Sequence, residues 1–188
     1  MTETKRRSRL WGGVIVAATL VLGAGLYWFQ PWKLWQDATV HEALPAVSPS
    51  AAAPGPTGSP TTPGATSAPA GPTTLAQGTL ISHEHTTTGT AKLIRLPDGS
   101  RTLRLENLDT SNGPDLRVWL TDAPVKEGAA GWTVFDDGKY VSLGKLKGNK
   151  GDQNYEIPPD VNLADFSSVT IWCDRFDVSF GAAALTAA

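Results

Sequence analysis

The sequence has one cysteine, Cys173, one methionine, Met1, and three histidines among 188 residues. A single cysteine excludes an internal disulfide and the Cys-x-x-Cys-His motif that attaches c-type haem. A blue-copper centre is disfavoured, because it uses an axial methionine and no histidine follows Cys173. The sequence also lacks Gly-x-Ser-x-Gly, His-Glu-x-x-His and a phosphate-binding P-loop, so no hydrolase class is indicated.

Clustered positive charge is missing from the C-terminal part of the chain. Residues 75–188 contain 11 lysines and arginines against 15 aspartates and glutamates, a net charge of −4 with the two signs interspersed. Proteins that bind nucleic acid need a concentrated basic face. We therefore expect no nucleic-acid partner.

A long uncharged run stands near the N-terminus. Residues 10–29 contain no charged side chain, and the preceding residues 1–9 carry a net charge of +3. Those 20 residues would extend about 30 Å as a helix, which is the thickness of a bilayer core. Basic residues stay in the cytoplasm. The pattern predicts a cytoplasmic tail over 1–9, one transmembrane helix over 10–29, and an extracytoplasmic remainder.

A cleaved signal peptide is the alternative to a lasting anchor. Its apolar region would span roughly 7–15 residues and end in small residues. Here the run ends in Trp28-Phe29-Gln30-Pro31-Trp32, which is bulky. We expect an uncleaved signal-anchor in the cell membrane, with cleavage near Ala43 or Ala46 left open. The absence of an Asn-x-Ser/Thr sequon agrees with a bacterial source.

The composition changes twice beyond this helix. After a juxtamembrane segment over 30–44, residues 45–74 consist largely of Pro, Ala, Gly, Ser and Thr. Such a segment has too little apolar bulk for a core, so we predict a disordered stalk. Residues 75–188 have an ordinary composition and a length suited to one folded domain.

Apolar and polar residues alternate in short runs across that domain. The runs lie around Leu103, Leu116, Val141, Val169 and Phe176, and turn sequences separate them. Alternation with a period of two is typical of half-buried strands. The pattern predicts an all-β fold, a compact antiparallel β-sandwich or barrel of about eight short strands.

Several motifs follow one another along the domain. They are His85 with Gly89-Thr90-Ala91, Leu103-Arg104-Leu105, Asn112 to Leu120, Leu143-Gly144, Leu146 to Gly151, Asn154 to Pro158, Ser168 to Cys173, and Phe176 to Gly181. In this order they resemble the DM-thirteen domain, a small extracytoplasmic β module also called the electron-transfer DM domain. The resemblance covers the folded segment and leaves out the anchor and the stalk.

The resemblance implies a role for Cys173, onto which the hallmark cysteine of the family maps. The family is proposed to transfer electrons through that cysteine, as a free thiol or as a ligand to a prosthetic group such as haem. Animal relatives often carry a DOMON-type domain on the same chain, which this sequence lacks. We therefore expect the electron partner to be a separate redox or surface protein.

Three interpretations of Cys173 follow from the residues around it. It shares parity with Val169 and Ile171, so its side chain points inward, where free cysteine often packs as a small apolar residue. It can instead be a redox or ligating group, or half of an intermolecular disulfide. Arg175 would favour a thiolate if it folded back over the sulfur, and Asp174 would oppose this.

Two histidines and two tryptophans are further candidates. On a strand, His83 and His85 would share a face, where they could ligate a metal or haem; the alternative is a solvent-exposed strand end. The sequence does not identify a particular metal. Trp119 and Trp172 both have outward parity, so they form either an exposed binding patch or a pair covered by a loop or a second sheet.

These observations lead to two hypotheses of different classes. The first is a single-pass membrane protein whose outward-facing domain has an electron-transfer or redox role through Cys173, with an unidentified cofactor, if any. The second is a non-catalytic surface module for binding or adhesion, in which Cys173 only packs and the tryptophans bind the partner.

Overall fold

The N-terminal part of the chain is one long helix. The computed structural model describes residues 2–45 and 71–188. Helix α1 covers Thr2–Phe29, and a 3-10 helix follows over Pro31–Trp35. The stretch Trp11–Phe29 is long and apolar enough to cross a membrane, and none of it is buried against the rest of the chain. A signal sequence has the same properties, so α1 is a membrane span or a signal sequence.

The remainder is built from strands, of which the described residues contain eleven. Eight have at least six residues, and three have two or three. In chain order they are β1 Thr39–His41, β2 Thr73–Thr79, β3 Ile81–Ser82, β4 Thr88–Arg95, β5 Arg101–Asp109, β6 Leu116–Thr121, β7 Tyr140–Lys145, β8 Lys150–Ile157, β9 Ser168–Cys173, β10 Val178–Ala184 and β11 Thr186–Ala187.

The strands form two sheets that pack face to face. The first has the order β1-β8-β5-β4-β2-β11, and the second has the order β3-β10-β9-β6-β7. All pairs are antiparallel except β1 with β8. The sheets do not close into a barrel within the described residues. The predicted all-β sandwich behind one helix is confirmed.

The main core lies between the two sheets. Leu103 and Leu105 of β5 face Val118 of β6 and Ile171 of β9, and none of the four has exposed surface. These are the inward positions that the alternation predicts. Burying aliphatic side chains of this size stabilises the fold by roughly 1.5–3 kcal/mol each, which makes this core the main source of stability.

A second, smaller core lies on the outer face of the five-stranded sheet. Every residue of β9 is buried, on both faces of the strand. The outer face is covered by the connection between β6 and β7, residues 122–139, which packs Phe135 against the sheet. Sequence alternation shows one buried face, and cover of the other face by a loop was one of the alternatives that it left open.

One predicted strand position is wrong. Phe176 shares parity with Val178 and Phe180, and the pattern placed it in their strand. In the structure β10 begins at Val178, and Phe176 lies in the turn that joins β9 to β10. Asp177 has a positive φ of 51°, which bends the chain there and breaks the alternation.

Residues just beyond α1 belong to the sandwich. Strand β1 pairs with β8 in parallel, with Val40 opposite Gly151. The side chain of Asn149 accepts a hydrogen bond from the Ala38 N–H (2.7 Å) and donates one to Asp37 (2.8 Å). The first sheet therefore draws one edge strand from the segment 30–44. The predicted stalk, 45–74, falls largely on residues 46–70, which lie outside the described residues.

The edge strand β1 can be displaced by one substitution. A Cβ on Gly148 would meet the carbonyl oxygen of Ala38, so Gly148→Ala should push β1 off the sheet. The Glu42 N–H, which donates to the Asp152 carbonyl (2.9 Å), should then exchange with solvent faster, by tenfold for each ~1.4 kcal/mol lost. Hydrogen-exchange mass spectrometry measures this. Gly71→Ala, where a Cβ meets open space, is the control, and equal exchange in both variants would refute the prediction.

Candidate functional site

Cys173 is the last residue of β9 and lies in the main core. It is paired with Leu116 of β6 on one side and with Val178 of β10 on the other. Its side chain has no exposed surface, and it is a free thiol. The prediction that the side chain of Cys173 points inward is therefore confirmed. We call this end of the sandwich, where β9 ends and β6 and β10 begin, the thiol end.

The turn Asp174–Asp177 closes the core over Cys173. The Asp174 N–H donates to the carbonyl of Asp115 (3.0 Å), which ties the turn to the loop before β6. The guanidinium of Arg117 lies between two carboxylates, 3.1 Å from Asp174 and 3.2 Å from Asp115. These partly exposed ion pairs each contribute at most about 1 kcal/mol. The turn is thus held shut by contacts that are individually weak.

Opposing effects act on the pKa of the Cys173 thiol. Burial raises this pKa, because a thiolate loses its hydration in the core, and the net shift is upward. The backbone N–H groups of Arg175, Phe176 and Asp115 act in the other direction, because they stabilise negative charge on sulfur. The Glu84 carboxylate adds to the increase. With the turn closed, the thiol is protonated at neutral pH and is a poor nucleophile.

Arg175 does not fold back over the sulfur. Its guanidinium points away from the domain and donates a hydrogen bond to the carbonyl of Trp28 (2.6 Å). It also lies over the Trp28 ring, 5.0 Å from the ring centroid. The hypothesis that Arg175 stabilises a thiolate is therefore wrong for its side chain, because the end of α1 offers it an aromatic ring and an acceptor.

His83 is buried beneath the connection between β6 and β7. Its Nδ1 lies 2.7 Å from the Ser179 hydroxyl, and its Nε2 lies 3.0 Å from the Lys126 carbonyl. Since a carbonyl only accepts, Nε2 carries the proton and Nδ1 accepts from Ser179. Gly131 allows the loop this close, because a Cβ there would meet the Lys126 carbonyl. Both ring nitrogens are engaged, so His83 is not placed as a metal or haem ligand.

His85 occupies a different environment. Strand β3 ends at Ser82, and residues 83–85 form a bend, so the two histidines do not share a face as an extended strand would require. The ring of His85 packs on Phe180, with centroids 3.9 Å apart. It lines a cavity of about 300 Å³ between the thiol end and the residues after α1. The strand geometry predicted for the pair is wrong, because the strand is only two residues long.

The side chains at this end do not form a metal or haem site. Across residues 2–45 and 71–188, no three His, Cys, Asp or Glu side chains come together in a way that could hold a metal ion. Haem would need an axial ligand that it can approach with a whole macrocycle. Cys173 is enclosed by Leu116, Val178 and Phe180, which are all buried, so the residues present do not fit haem at the thiol.

Trp119 and Trp172 do not form an exposed patch. Their side chains are 4% and 1% exposed, and their rings stack with centroids 5.0 Å apart. Phe135 covers Trp172 edge-on at 6.4 Å, and Tyr140 stacks on Trp119 at 4.1 Å. Outward parity was correctly identified. Of the two alternatives, an exposed patch and a covered pair, the structure has the covered pair, because the connection between β6 and β7 packs over this face.

Two residues at the thiol end were not expected to take part in it. Trp28 and Phe29 belong to the end of α1, yet they contact the turn that closes over Cys173. Contact with a turn 147 residues later has no local sequence signal.

The buried imidazole predicts a pH dependence of stability. Burial lowers the pKa of His83 below its ordinary value of 6.5, so the unfolded chain takes up this proton first as the pH falls. The stabilisation from neutral His83 is complete above pH 6.5 and is lost as the pH falls through the lower pKa of the folded state. Urea unfolding of the full chain from pH 7.5 to 5 should show this loss.

The matched variant for this measurement is His83→Gln, which keeps a side-chain donor for the Lys126 carbonyl but does not titrate. Its stability should fall less than that of the natural chain over the same pH range. Parallel curves for the two proteins would assign the pH dependence to other groups.

Comparison with known proteins agrees with the fold and with the sequence motifs. The family described as "Electron transfer DM13" matches residues 79–185, which is more than half of the chain. Searches of curated proteins and of solved structures found no match. The matched range runs from the end of β2 to the residue after β10 and includes Cys173. The chain is therefore a member of the electron-transfer DM13 family.

Proposed function

We propose that this protein is a membrane-anchored electron-transfer module whose domain faces out of the cytoplasm and whose redox group is the Cys173 thiol. Family membership supports a redox role in the broad sense. The apolar helix α1 and the basic residues before it support an anchor with its N-terminus in the cytoplasm. The assignment to Cys173 depends on the geometry around its sulfur.

The observation that supports the assignment is the position of Cys173, a free thiol at the end of β9 beneath the four-residue turn Asp174–Asp177. The N–H groups of Asp115, Arg175 and Phe176 lower the pKa of Cys173, against the effect of burial. Backbone N–H groups that converge in a turn form a favourable place for negative charge. They would stabilise a Cys173 thiolate while the turn keeps them near the sulfur.

The steps of the proposed electron transfer follow from the presence of a single cysteine. The Cys173 thiolate attacks the disulfide of an acceptor protein, forms a mixed disulfide, and releases one acceptor thiolate. A thiolate of a dithiol donor then attacks the Cys173 sulfur, which frees the second acceptor thiolate. The second donor thiolate displaces Cys173 and closes the donor disulfide. Two electrons and two protons pass from donor to acceptor, and the Cys173 thiol is regenerated.

A second candidate is a non-catalytic surface module for binding or adhesion. The complete burial of Cys173 and the upward shift of its pKa favour this function, because both are ordinary for a packing cysteine. Its binding surface cannot be Trp119 and Trp172 in this conformation, since both are buried. Reactivity of the thiol distinguishes the two candidates.

Thiol labelling tests whether the turn gates Cys173. Asp174→Ala removes the ion pair with Arg117, so opening of the turn should become more frequent. A loss of about 1 kcal/mol would raise the rate of maleimide labelling about fivefold. The control is Asp165→Ala, which removes an ion pair with Lys139 at the other end of the sandwich. Equal labelling rates in both variants would mean that this turn does not control access.

The redox role itself is tested with Cys173→Ala in the full chain. The substitution should cost about 1–2 kcal/mol of stability, since it removes one buried atom from the core. It should also abolish mixed disulfides that are trapped from cells with an alkylating reagent and resolved on non-reducing gels. A variant that keeps its fold and its cellular activity would establish packing as the only role of Cys173.

Membrane topology is tested with an engineered cysteine. Asp98 lies in the exposed β4–β5 turn, so Asp98→Cys should react with a membrane-impermeant maleimide added to intact cells. The buried Cys173 of the natural chain provides the low background. Labelling that appears only after the cells are permeabilised would place the domain in the cytoplasm.

A further inference from the structure

Exposed apolar side chains outside α1 are concentrated in one place. Among the described residues beyond Phe29, five large hydrophobic side chains are exposed: Trp32, Leu34, Trp35, Tyr140 and Phe176. Only Tyr140 lies away from the thiol end, at the start of β7. The other four border the C-terminal end of α1. These four residues and the exposed Phe29 of α1 are all aromatic except Leu34. We call the five together the aromatic collar: Phe29, Trp32, Leu34, Trp35 and Phe176.

The β domain supplies one residue of this collar, Phe176, and its loops contact the end of α1 and Lys33. The rings of Phe29 and Phe176 stack with centroids 5.7 Å apart and an interplanar angle of 17°. Arg175 binds the carbonyl of Trp28, and the Lys33 ammonium donates to the Pro114 carbonyl (3.4 Å). The end of α1 therefore contacts both loops that surround Cys173.

The following residues leave no free linker between α1 and the sandwich. Gln30 has a left-handed conformation (φ 43°, ψ 52°) that ends the helix and turns the chain. The Gln36 carbonyl accepts from Asn112 (3.1 Å), and Lys150 pairs with Asp37 (3.1 Å). Strand β1 follows two residues later. A domain fastened at such short intervals cannot move far from the end of α1.

We infer that the thiol end of the sandwich rests on the membrane surface, with the aromatic collar in the headgroup region of the bilayer. Tryptophan side chains next to an apolar helix favour this region, and the collar contains Trp32 and Trp35. Lys33 and Arg175, at the same edge, match the anionic headgroups of lipids. The occupant is lipid, because the collar adjoins the end of the apolar helix α1. This inference rests on the proposed membrane anchor.

Photo-crosslinking in the full-length protein tests the inference. A benzoylphenylalanine replaces Phe176 in one sample and Tyr140 in another, since both side chains are aromatic and similarly exposed, at 41% and 46%. The protein is reconstituted in vesicles of phosphatidylethanolamine and phosphatidylglycerol, illuminated, and analysed by mass spectrometry. The Phe176 position should give a lipid adduct in several-fold higher yield than the Tyr140 position.

The outcomes separate this inference from the anchor on which it rests. Alkaline carbonate extraction reports the anchor, and release of the protein by carbonate would overturn the anchor and the inference together. Retention without a lipid adduct at Phe176, or with equal adducts at both positions, would overturn the inference alone. A crosslink at Phe176 to a second copy of the chain would assign the collar to self-association and overturn it as well.

Discussion

The structure depends on the need to bury strand β9 on both faces. Its inner face packs into the core between the sheets, and its outer face needs the long connection between β6 and β7 as a cover. This requirement places Phe135, Trp119 and Trp172 in a second core, and it brings that connection over His83. Cys173 stands at the end of β9, where the turn Asp174–Asp177 follows.

Opposing effects act on the pKa of Cys173, and burial is only one of them. The core opposes a thiolate, and the turn that follows supplies N–H groups that favour one. With the turn in place the first effect is the larger, and the pKa of the thiol is raised. The same short turn lies over the sulfur and carries two of the N–H groups that lower this pKa.

Much of the architecture was predictable because alternation reports which side chains point inward. The sandwich, its inward leucines and valines, and the inward direction of Cys173 all follow from a period of two. Contacts that are not periodic were not predictable. Trp119 and Trp172 were covered by a loop, His83 and His85 diverged at a two-residue strand, and Arg175 turned to Trp28. Each of these depends on a residue distant in sequence, and no local pattern encodes the distance.

The placement of β1 and β2 in one sheet changes what the proline-rich segment between them can do. Both of its ends are fixed by strands of the same domain, so residues 46–70 form an insertion within the fold and do not connect α1 to it. A change in the length of this segment would therefore leave the distance from α1 to Cys173 constant. An epitope tag placed there would leave that distance unchanged.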